Sequence, residues 1–248
     1  MPPKKKNRAV IAVCIQEPQE DGSQMELGPI KGDDLAFLHQ GFITDTIRHA
    51  LAVKEADTRV YSVGSKDRRK FMKIVLEYVE KTYTGGQSDF QRKLSHHELK
   101  KERWGVRIEK VLDDCFRAGY EDVLVIGSRT PTVSTAMMTR ALGMLKKSDA
   151  VFGPTPEGRY YAIGMHEEAR IRLSDFDWTS PSIYYEVANA FTEARLAWSE
   201  LEIWYAVESS EELEIMVRDI NQFRFEDDEF TARETEHVME RLLSRLGA

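Results

Sequence analysis

Residues 123–131, VLVIGSRTP, decide how the rest of this 248-residue chain is read. Val123–Ile126 is an uninterrupted branched apolar run, the pattern of a strand buried on both faces rather than one facing water. Gly127 and Pro131 punctuate its end and deliver Arg129 into the turn between them. The next stretch, TVSTAMMTRALGMLKKSDAVFGP, reads as a helix from about Val133 to Lys147 and then another apolar run, DAVFGP (149–154). In open α/β sheets the ligand crevice lies just beyond the carboxyl ends of the strands, so Arg129 stands where a ligand contact is expected.

Nearer the N-terminus, RAVIAVCI (8–15) is a second strand of the fully buried type, followed by about twenty polar, Gly- and Pro-containing residues. A connection of that length is generally functional or mobile. DLAFLHQGFITDTIRHALAV (34–53) has apolar residues at helical spacing, TRVYSVG (58–64) is a strand, and DRRKFMKIVLEYVEKTY a helix. The stretch HELKKERWGVRIEKVLDDCFRAG (97–119) reads as one long amphipathic helix closed by Gly119. GRYYAIGM (158–165) alternates as a strand, SIYYEVANAFTEARLAW is a helix, LEIWYAV (201–207) a strand, and a helix runs from Ser209 to about Phe223. Alternating strands and helices imply a mostly parallel sheet with helices on both faces. The interval between DAVFGP and LEIWYAV breaks the alternation, and an antiparallel insertion is expected there.

Composition narrows the partners. Lys+Arg 35 against Asp+Glu 42 gives a net charge of −7, which argues against nucleic acid as a partner. The basic start, PPKKKNR, lacks a signal-peptide apolar region and no run reaches the roughly 18 apolar residues of a membrane span, so a cytoplasmic protein without membrane contact is expected. Cys14 falls in an apolar strand and Cys115 in a helix; both read as packing residues. His96 and His97 are adjacent, would point about 100° apart on a helix, and read as surface rather than as a metal pair.

At GSRTP…DAVFGPTPEGRYYAIGM the chain resembles the small GT-A-fold transferases named radical-SAM/selenodomain-associated transferase 1, relatives of nucleotide-diphospho-sugar transferases. That family ends a strand in Gly-Ser/Thr-Asp-x-Pro and later carries Gly-Pro-x-x-Asp-Gly-Gly-Tyr-Tyr-Leu-Ile-Gly. Here the same places read Gly127-Ser128-Arg129-Thr130-Pro131 and Gly153-Pro154, then Glu157-Gly158-Arg159-Tyr160-Tyr161-Ala162-Ile163-Gly164. DLAFLHQGFITDTI resembles the family's first helix, Trp178-Thr179-Ser180 its Trp-Ser-Thr, and AVESSEEL (206–213) its Asp-Val-Asp-Thr-Pro-Glu-Asp-Leu; coverage is about residues 8–221.

The resemblance implies a GT-A-like, mostly parallel sheet flanked by helices, and a glycosyl or nucleotidyl transferase that binds a nucleotide or nucleotide sugar. The departures fall where that chemistry would sit. The strand-end Asp expected to hold Mg²⁺ or Mn²⁺ is Arg129, Asp-Gly-Gly is Glu157-Gly158-Arg159, and Asp-Val-Asp is Ala206-Val207-Glu208. With those metal ligands lost, little or no metal help is expected, and Mg²⁺ or Mn²⁺ is kept as the alternative to no cofactor. Arg129 and Arg159 are expected either to clamp a diphosphate directly, since a guanidinium donates paired hydrogen bonds to phosphate, or to pair with nearby carboxylates such as Glu157 or Glu208 and merely hold a decayed site together.

Glu157 and Glu208 are the candidate catalytic bases. Tyr160, Tyr161 and Trp178 could stack on a base or sugar or fill the core, and Lys31 could reach phosphates from the first loop, which Gly22, Gly28 and Gly32 would loosen over a ligand. Asp175 and Asp177 are expected in a turn or cap rather than on an acceptor. The alternative to an active transferase is a non-catalytic pseudoenzyme of the same fold acting as a binding or assembly module. The expected organisation is a basic flexible tail (1–7), the α/β domain (8–223) and a C-terminal amphipathic helix (224–248). That helix would pack by Phe230, Val238, Leu242, Leu243 and Leu246 against the domain or, as a homo-oligomer, against a second copy.

Overall fold

The unbroken apolar run of the first strand is explained by what lies on its two faces. In the computed structural model, which describes residues 7–20, 23–169, 171–225 and 232–246, β1 (Ala9–Cys14) lies in the middle of the sheet with every residue from Val10 onward buried. Ile11 and Val13 point into one cluster with Ile43, Ile47, Val75 and Met138. Val10, Ala12 and Cys14 point into the other, with Ile108, Val111, Cys115, Val187 and Phe191. Two apolar faces leave no place for polar alternation, and burying a side chain such as Ile11 contributes about 1.5–3 kcal/mol.

The remaining strands are β2 (Gln19–Glu20) and β3 (Ser23–Gln24), a small separate ribbon, then β4 (Ala56–Val63), β5 (Leu94–Leu99), β6 (Asp122–Gly127), β7 (Ala150–Pro154), β8 (Tyr160–His166) and β9 (Trp198–Glu200). The main sheet has the order β5-β4-β1-β6-β8-β7-β9. β5, β4, β1 and β6 run parallel. β8 is antiparallel to both β6 and β7, while β7 and β9 are parallel. The antiparallel insertion is therefore β8. It brings the start of GRYYAIGM to the carboxyl end of β6, because an antiparallel neighbour begins where its partner finishes.

The helices are α1 (Gly32–Ala52), α2 (Lys66–Thr82), α3 (Gln87–Lys93), α4 (Trp104–Arg117), α5 (Thr135–Leu145), α6 (Ile183–Glu193), α7 (Ser210–Phe225) and α8 (Arg233–Leu246). Helices α1, α2 and α5 supply one face of the core, α4 and α6 the other. Among the described residues no helix is long and apolar enough to cross a membrane.

Three expectations are corrected here. The single helix expected over 97–119 is divided: Leu94–Leu99 is the edge strand β5, and the helix starts only at Trp104. His96 and His97 thus lie on a strand, with His96 Nε2 2.9 Å from the Ser62 hydroxyl and the His97 ring stacked on Tyr61. An edge strand has only one strand neighbour and needs little apolar sequence. LEIWYAV is extended but does not form the expected strand; the ladder lies earlier, at β9, and the segment is attached by the single bonds Leu201 N to Phe152 O, Trp204 N to Pro154 O and Val207 N to Arg129 O.

The third concerns the long first connection. Instead of lying loose over the cleft, it is tied down by buried Met25, Leu27 and Ile30 and by the Glu26 N–H donating to the Glu208 carbonyl. Gly28 and Gly32 have φ of 63° and 54° and shape its turns, a conformation that costs Gly little; Gly22 is outside the described residues.

The C-terminal helix packs against its own chain. Val238, Met239 and Leu242 are buried with Leu38 and Phe42 of α1 and with Met216 and Ile220 of α7. Asp45, in the middle of α1, accepts from the N–H groups of Glu234 (3.1 Å) and Thr235 (2.7 Å), capping α8 from another helix. Gly41 permits the approach, since a Cβ there would stand 3.1 Å from the Thr235 Cα. Leu243 stays exposed, while Phe230 and the basic tail through Lys6 lie outside the described residues.

Candidate functional site

Four chain segments reach the carboxyl end of the parallel strands and enclose a cleft of about 860 Å³. Gln16 and Glu17 follow β1, Val63 ends β4 and Ser65 caps α2, Lys101–Arg107 follow β5, and Arg159 precedes Tyr160 at the start of β8; Ser174, residues 176–179, Ile183 and Glu208 complete the wall. The volume lies in the usual range for a small-molecule site, and the location is where open α/β sheets bind ligands.

One end of the cleft is basic. Lys101, Arg103 and Arg107 surround the start of α4, a 14-residue helix with no acidic residue in its first turn and no side-chain cap from Arg103 at its N-cap. The unsatisfied amides of a helix N-terminus carry partial positive charge, and three cations add to it. Arg107 lies over the Trp104 ring, 4.8 Å from its centroid. Gly105 is fixed by Trp178: a Cβ at Gly105 would meet the indole Nε1 at 2.2 Å and the Leu173 carbonyl at 2.7 Å. That same Nε1 donates to the Leu173 carbonyl at 2.8 Å.

Aromatic rings form the middle. Trp178 stands 5.9 Å from Tyr160, whose ring is also 5.2 Å from Tyr184 and whose hydroxyl donates to the Tyr184 carbonyl. Burial raises the Tyr160 phenol, so it stays neutral. The rings run from α4 to Arg159, which adjoins Tyr160.

At the other end an ion-pair relay crosses from the cleft into the protein. Arg159 Nη1 is 3.5 Å from Glu208 Oε2, and Glu208 Oε1 accepts from Arg129 Nη1 at 2.8 Å. Arg129 also donates Nη2 to the Glu17 carbonyl, and its own carbonyl accepts from Val207 N–H. Its side chain is 1% exposed, whereas those of Glu208 and Arg159 are 29% and 37% exposed. Beneath it, Ser128 accepts from the Gln16 N–H and faces His39 Nε2 at 3.2 Å. Burial, aided by the Arg129 charge, pulls the His39 imidazole down to about 3. Arg129 thus fastens the segments after β1 and before α7 to the end of β6.

The sequence-derived candidates separate on this geometry. Arg159, Tyr160, Trp178 and Glu208 meet in the cleft wall. Arg129 is next to them but sits behind Glu208, in the second of the two roles expected for it, and offers no face to the cleft. Tyr161 is corrected to a core residue: it is buried, points to the opposite face of β8 from Tyr160, and donates to the Glu202 carbonyl at 3.1 Å. Glu157 is exposed in the turn before β8 and Lys31 is exposed at the start of α1, both outside the cleft wall. Asp177 lines the cleft but is used in a turn, accepting from the Thr179 N–H and hydroxyl, which hold its carboxyl below the ordinary value. Lys101, Arg103 and Arg107 are absent from the sequence-derived set, because in sequence the stretch has the pattern of a helix interior. Their signal is the run KKERWGVR, cations around an aromatic with a Gly and no acid after the Trp.

The donor set does not fit a divalent cation. The place of the strand-end Asp holds buried Arg129, the place of Asp-Val-Asp holds Ala206-Val207-Glu208, and the Glu208 oxygens are turned to two guanidinium groups. Among the described residues no three Asp, Glu, His or Cys side chains gather where they could hold a metal ion. Hard oxygen ligands in number are what Mg²⁺ or Mn²⁺ requires.

Residues 46–180 match the model of a family described as "Uncharacterized protein conserved in bacteria (DUF2064)". No curated protein matches the chain. Among solved structures, a provisionally named nucleotide-diphospho-sugar transferase from Desulfovibrio desulfuricans G20 is similar with a TM-score of 0.73 and 23% identity, over 95% of this chain and 98% of that one. A cytidylyltransferase from Leptospira borgpetersenii is similar at 0.52 and 11%, over 96% of each chain. A 4-diphosphocytidyl-2C-methyl-D-erythritol synthase from Anaerococcus prevotii is similar at 0.53 and 15%, over 87% of this chain and 96% of that one. At these identities the likeness establishes the fold, the nucleotide-diphospho-sugar transferase-like, GT-A-like sheet.

Proposed function

The chain belongs to the DUF2064 family, and from that membership, the fold and the cleft we propose that it is a transferase of the nucleotide-diphospho-sugar type, holding its nucleotide donor with cationic side chains in place of a metal ion. The observation that carries this reading is the gathering of Lys101, Arg103, Arg107 and Arg159 around one cleft with Trp104, Tyr160 and Trp178 between them. The phosphates of a nucleoside triphosphate or nucleotide sugar would lie at the α4 end, where the exposed Lys101 and Arg103 and the helix amides meet charge that builds up on a departing diphosphate. The aromatic rings would take the base or sugar. Similarity in fold to a cytidylyltransferase and to a provisionally named sugar transferase supports the class of donor, and the finer resemblance to the selenodomain-associated transferases supports the same class. The mismatch of the donor set with a divalent cation favours metal-independent binding.

A thermal-shift screen of nucleoside triphosphates and nucleotide sugars, each with EDTA and with Mn²⁺, tests the reading. A ligand present at 100 times its Kd stabilises by about 2.7 kcal/mol, or roughly 5–11 °C for a chain of this size. At least one nucleotide should reach that shift in EDTA; no shift with any nucleotide in either condition contradicts the proposal.

A further inference from the structure

The open edge of the main sheet, at β5, carries its own complement. The Gly64 N–H donates to the Leu99 carbonyl at 2.9 Å. In a parallel ladder the backbone groups of alternate residues point to the same neighbour, so those of Leu99, His97 and Ser95 point to β4 and those of His96 and Glu98 point away from it. Among the described residues nothing bonds the outward N–H and C=O of His96 and Glu98 or the Leu94 C=O; the Leu94 N–H is held by the Phe90 carbonyl. β5 has no proline and keeps an unbroken register with β4, so it lacks two of the devices that blunt an edge.

Beside this edge lies a groove of about 370 Å³ between β5 and α2, with Leu76, Phe90 and Leu94 as its apolar wall. Arg69 bonds Glu98 at 2.6 Å and Lys73 stands 3.8 Å from Glu77. The Glu80 carboxylate, in the same wall, has neither a cation nor a hydrogen-bond donor among the described residues. A strand laid along β5 would present every second side chain to this groove.

We propose that this strand is β5 of a second copy of the chain, paired antiparallel about a two-fold axis at His97. Charge selects the register. Pairing Glu98 with Glu98 sets like charges opposite each other, which is destabilising. Pairing His96 with His96 carries Lys100 against Arg92 in the last turn of α3, and sliding further that way shortens the ladder. Pairing His96 with the second copy's Glu98 avoids all three and sets Lys100 of each copy opposite Leu94 of the other. Leu94, His96 and Glu98 share the α2 face: Leu94 packs on the cluster with Met72 and Val75, His96 meets Ser62, and Glu98 bonds Arg69 of α2. By alternation Lys100 belongs to that face too. The second copy's Lys100 thus crosses Leu94 into the groove where Glu80 stands without a cation. One patch serves both copies, so the assembly closes at a dimer.

A ladder this short buries less than the roughly 1,200 Å² of a standard interface, so the dimer is weak and reversible. Sedimentation velocity of the full chain from about 5 to 500 µM should show a monomer–dimer equilibrium. Lys100 is exposed and bonds nothing in its own chain among the described residues. Lys100→Glu should therefore weaken the dimer by about tenfold or more, the worth of one charge-assisted contact, with Tm unchanged. Register is read by oxidative cross-linking, the two native cysteines being buried. His97→Cys places its thiol on the axis and should link two copies, whereas Ser95→Cys, opposite Leu99, should not. A chain that stays monomeric throughout, a dimer indifferent to Lys100→Glu, or linking at 95 rather than 97 would overturn the proposal. None of these readouts uses a nucleotide, so their failure leaves the proposed function standing.

Discussion

Arg129 and Glu208 form an ion pair of unequal exposure: the guanidinium is 1% exposed and donates at 2.8 Å to a carboxylate that is 29% exposed and reaches the cleft. A cation so enclosed is retained only with its partners, because an unpaired buried charge is costly. Arg129→Ala leaves Glu208 without its main counter-ion and the Glu17 carbonyl without that donor. It should cost about 3 kcal/mol, or roughly 6–12 °C in Tm. Arg159→Ala removes a half-exposed partner at 3.5 Å and should cost less than about 1 kcal/mol. Thermal unfolding of the two variants distinguishes the roles; equal losses would mean that Arg129 is not the structural member of the pair.

His39 gives stability a pH dependence. Its imidazole is neutral in the folded protein down to about 3, against about 6.5 in an unfolded chain. The unfolded state therefore binds the extra proton between those values. Stability is fully present above about 6.5 and falls toward 3, by up to about 1.4 kcal/mol per pH unit for this group. Denaturant titrations between pH 6 and pH 4 should show a slope flatter by up to one proton in His39→Gln than in the wild type; parallel curves would show that His39 is not the group responsible.

Gly105 is held by contact rather than by backbone conformation. The Cβ of Gly105→Ala would meet Trp178 Nε1 at 2.2 Å and Leu173 O at 2.7 Å, so Trp178 must leave its place. The expected cost is about 1–3 kcal/mol, as for other overpacked sites, together with weakened nucleotide binding. Melting and nucleotide titration of the variant check it, and a variant as stable as wild type would show that the indole is not fixed against α4.

Asp45 ties α8 to α1 through two backbone N–H groups. Asp45→Ala leaves those donors without their acceptor, at about 1–3 kcal/mol, and should loosen α8 before the sheet unfolds. Hydrogen exchange should then accelerate at Glu234–Leu242 and not in β1 or β6; uniform acceleration would mean that α8 is not a separately opening unit.

Sequence revealed the parts of this fold whose reasons are local. β1 and β6 are continuous apolar runs because both their faces are covered, and GRYYAIGM alternates because Tyr161 and Tyr160 go to opposite sides of the sheet. β5 is concealed because LSHHEL is an edge strand whose polar side chains find partners from distant residues, such as Ser62 for His96. The capture of α8 depends on Asp45, 189 residues before Glu234, and no local window of sequence contains both partners. The candidate site was legible at Arg159, Tyr160, Trp178 and Glu208. The roles of Arg129 and Tyr161 turn on which direction a side chain takes, and Lys101–Arg107 on where a helix begins.

The measurement closest to the central claim is calorimetric titration of nucleoside triphosphates into wild type and into Lys101→Ala/Arg103→Ala, with EDTA and with Mn²⁺. Each exposed charge-assisted contact is worth about 1 kcal/mol after solvent screening, so the double variant should bind on the order of tenfold or more weakly. Wild type should bind in EDTA, little changed by Mn²⁺, and the variant should show that loss. Binding by the wild type only when Mn²⁺ is present, with affinity unaltered in the variant, would contradict it.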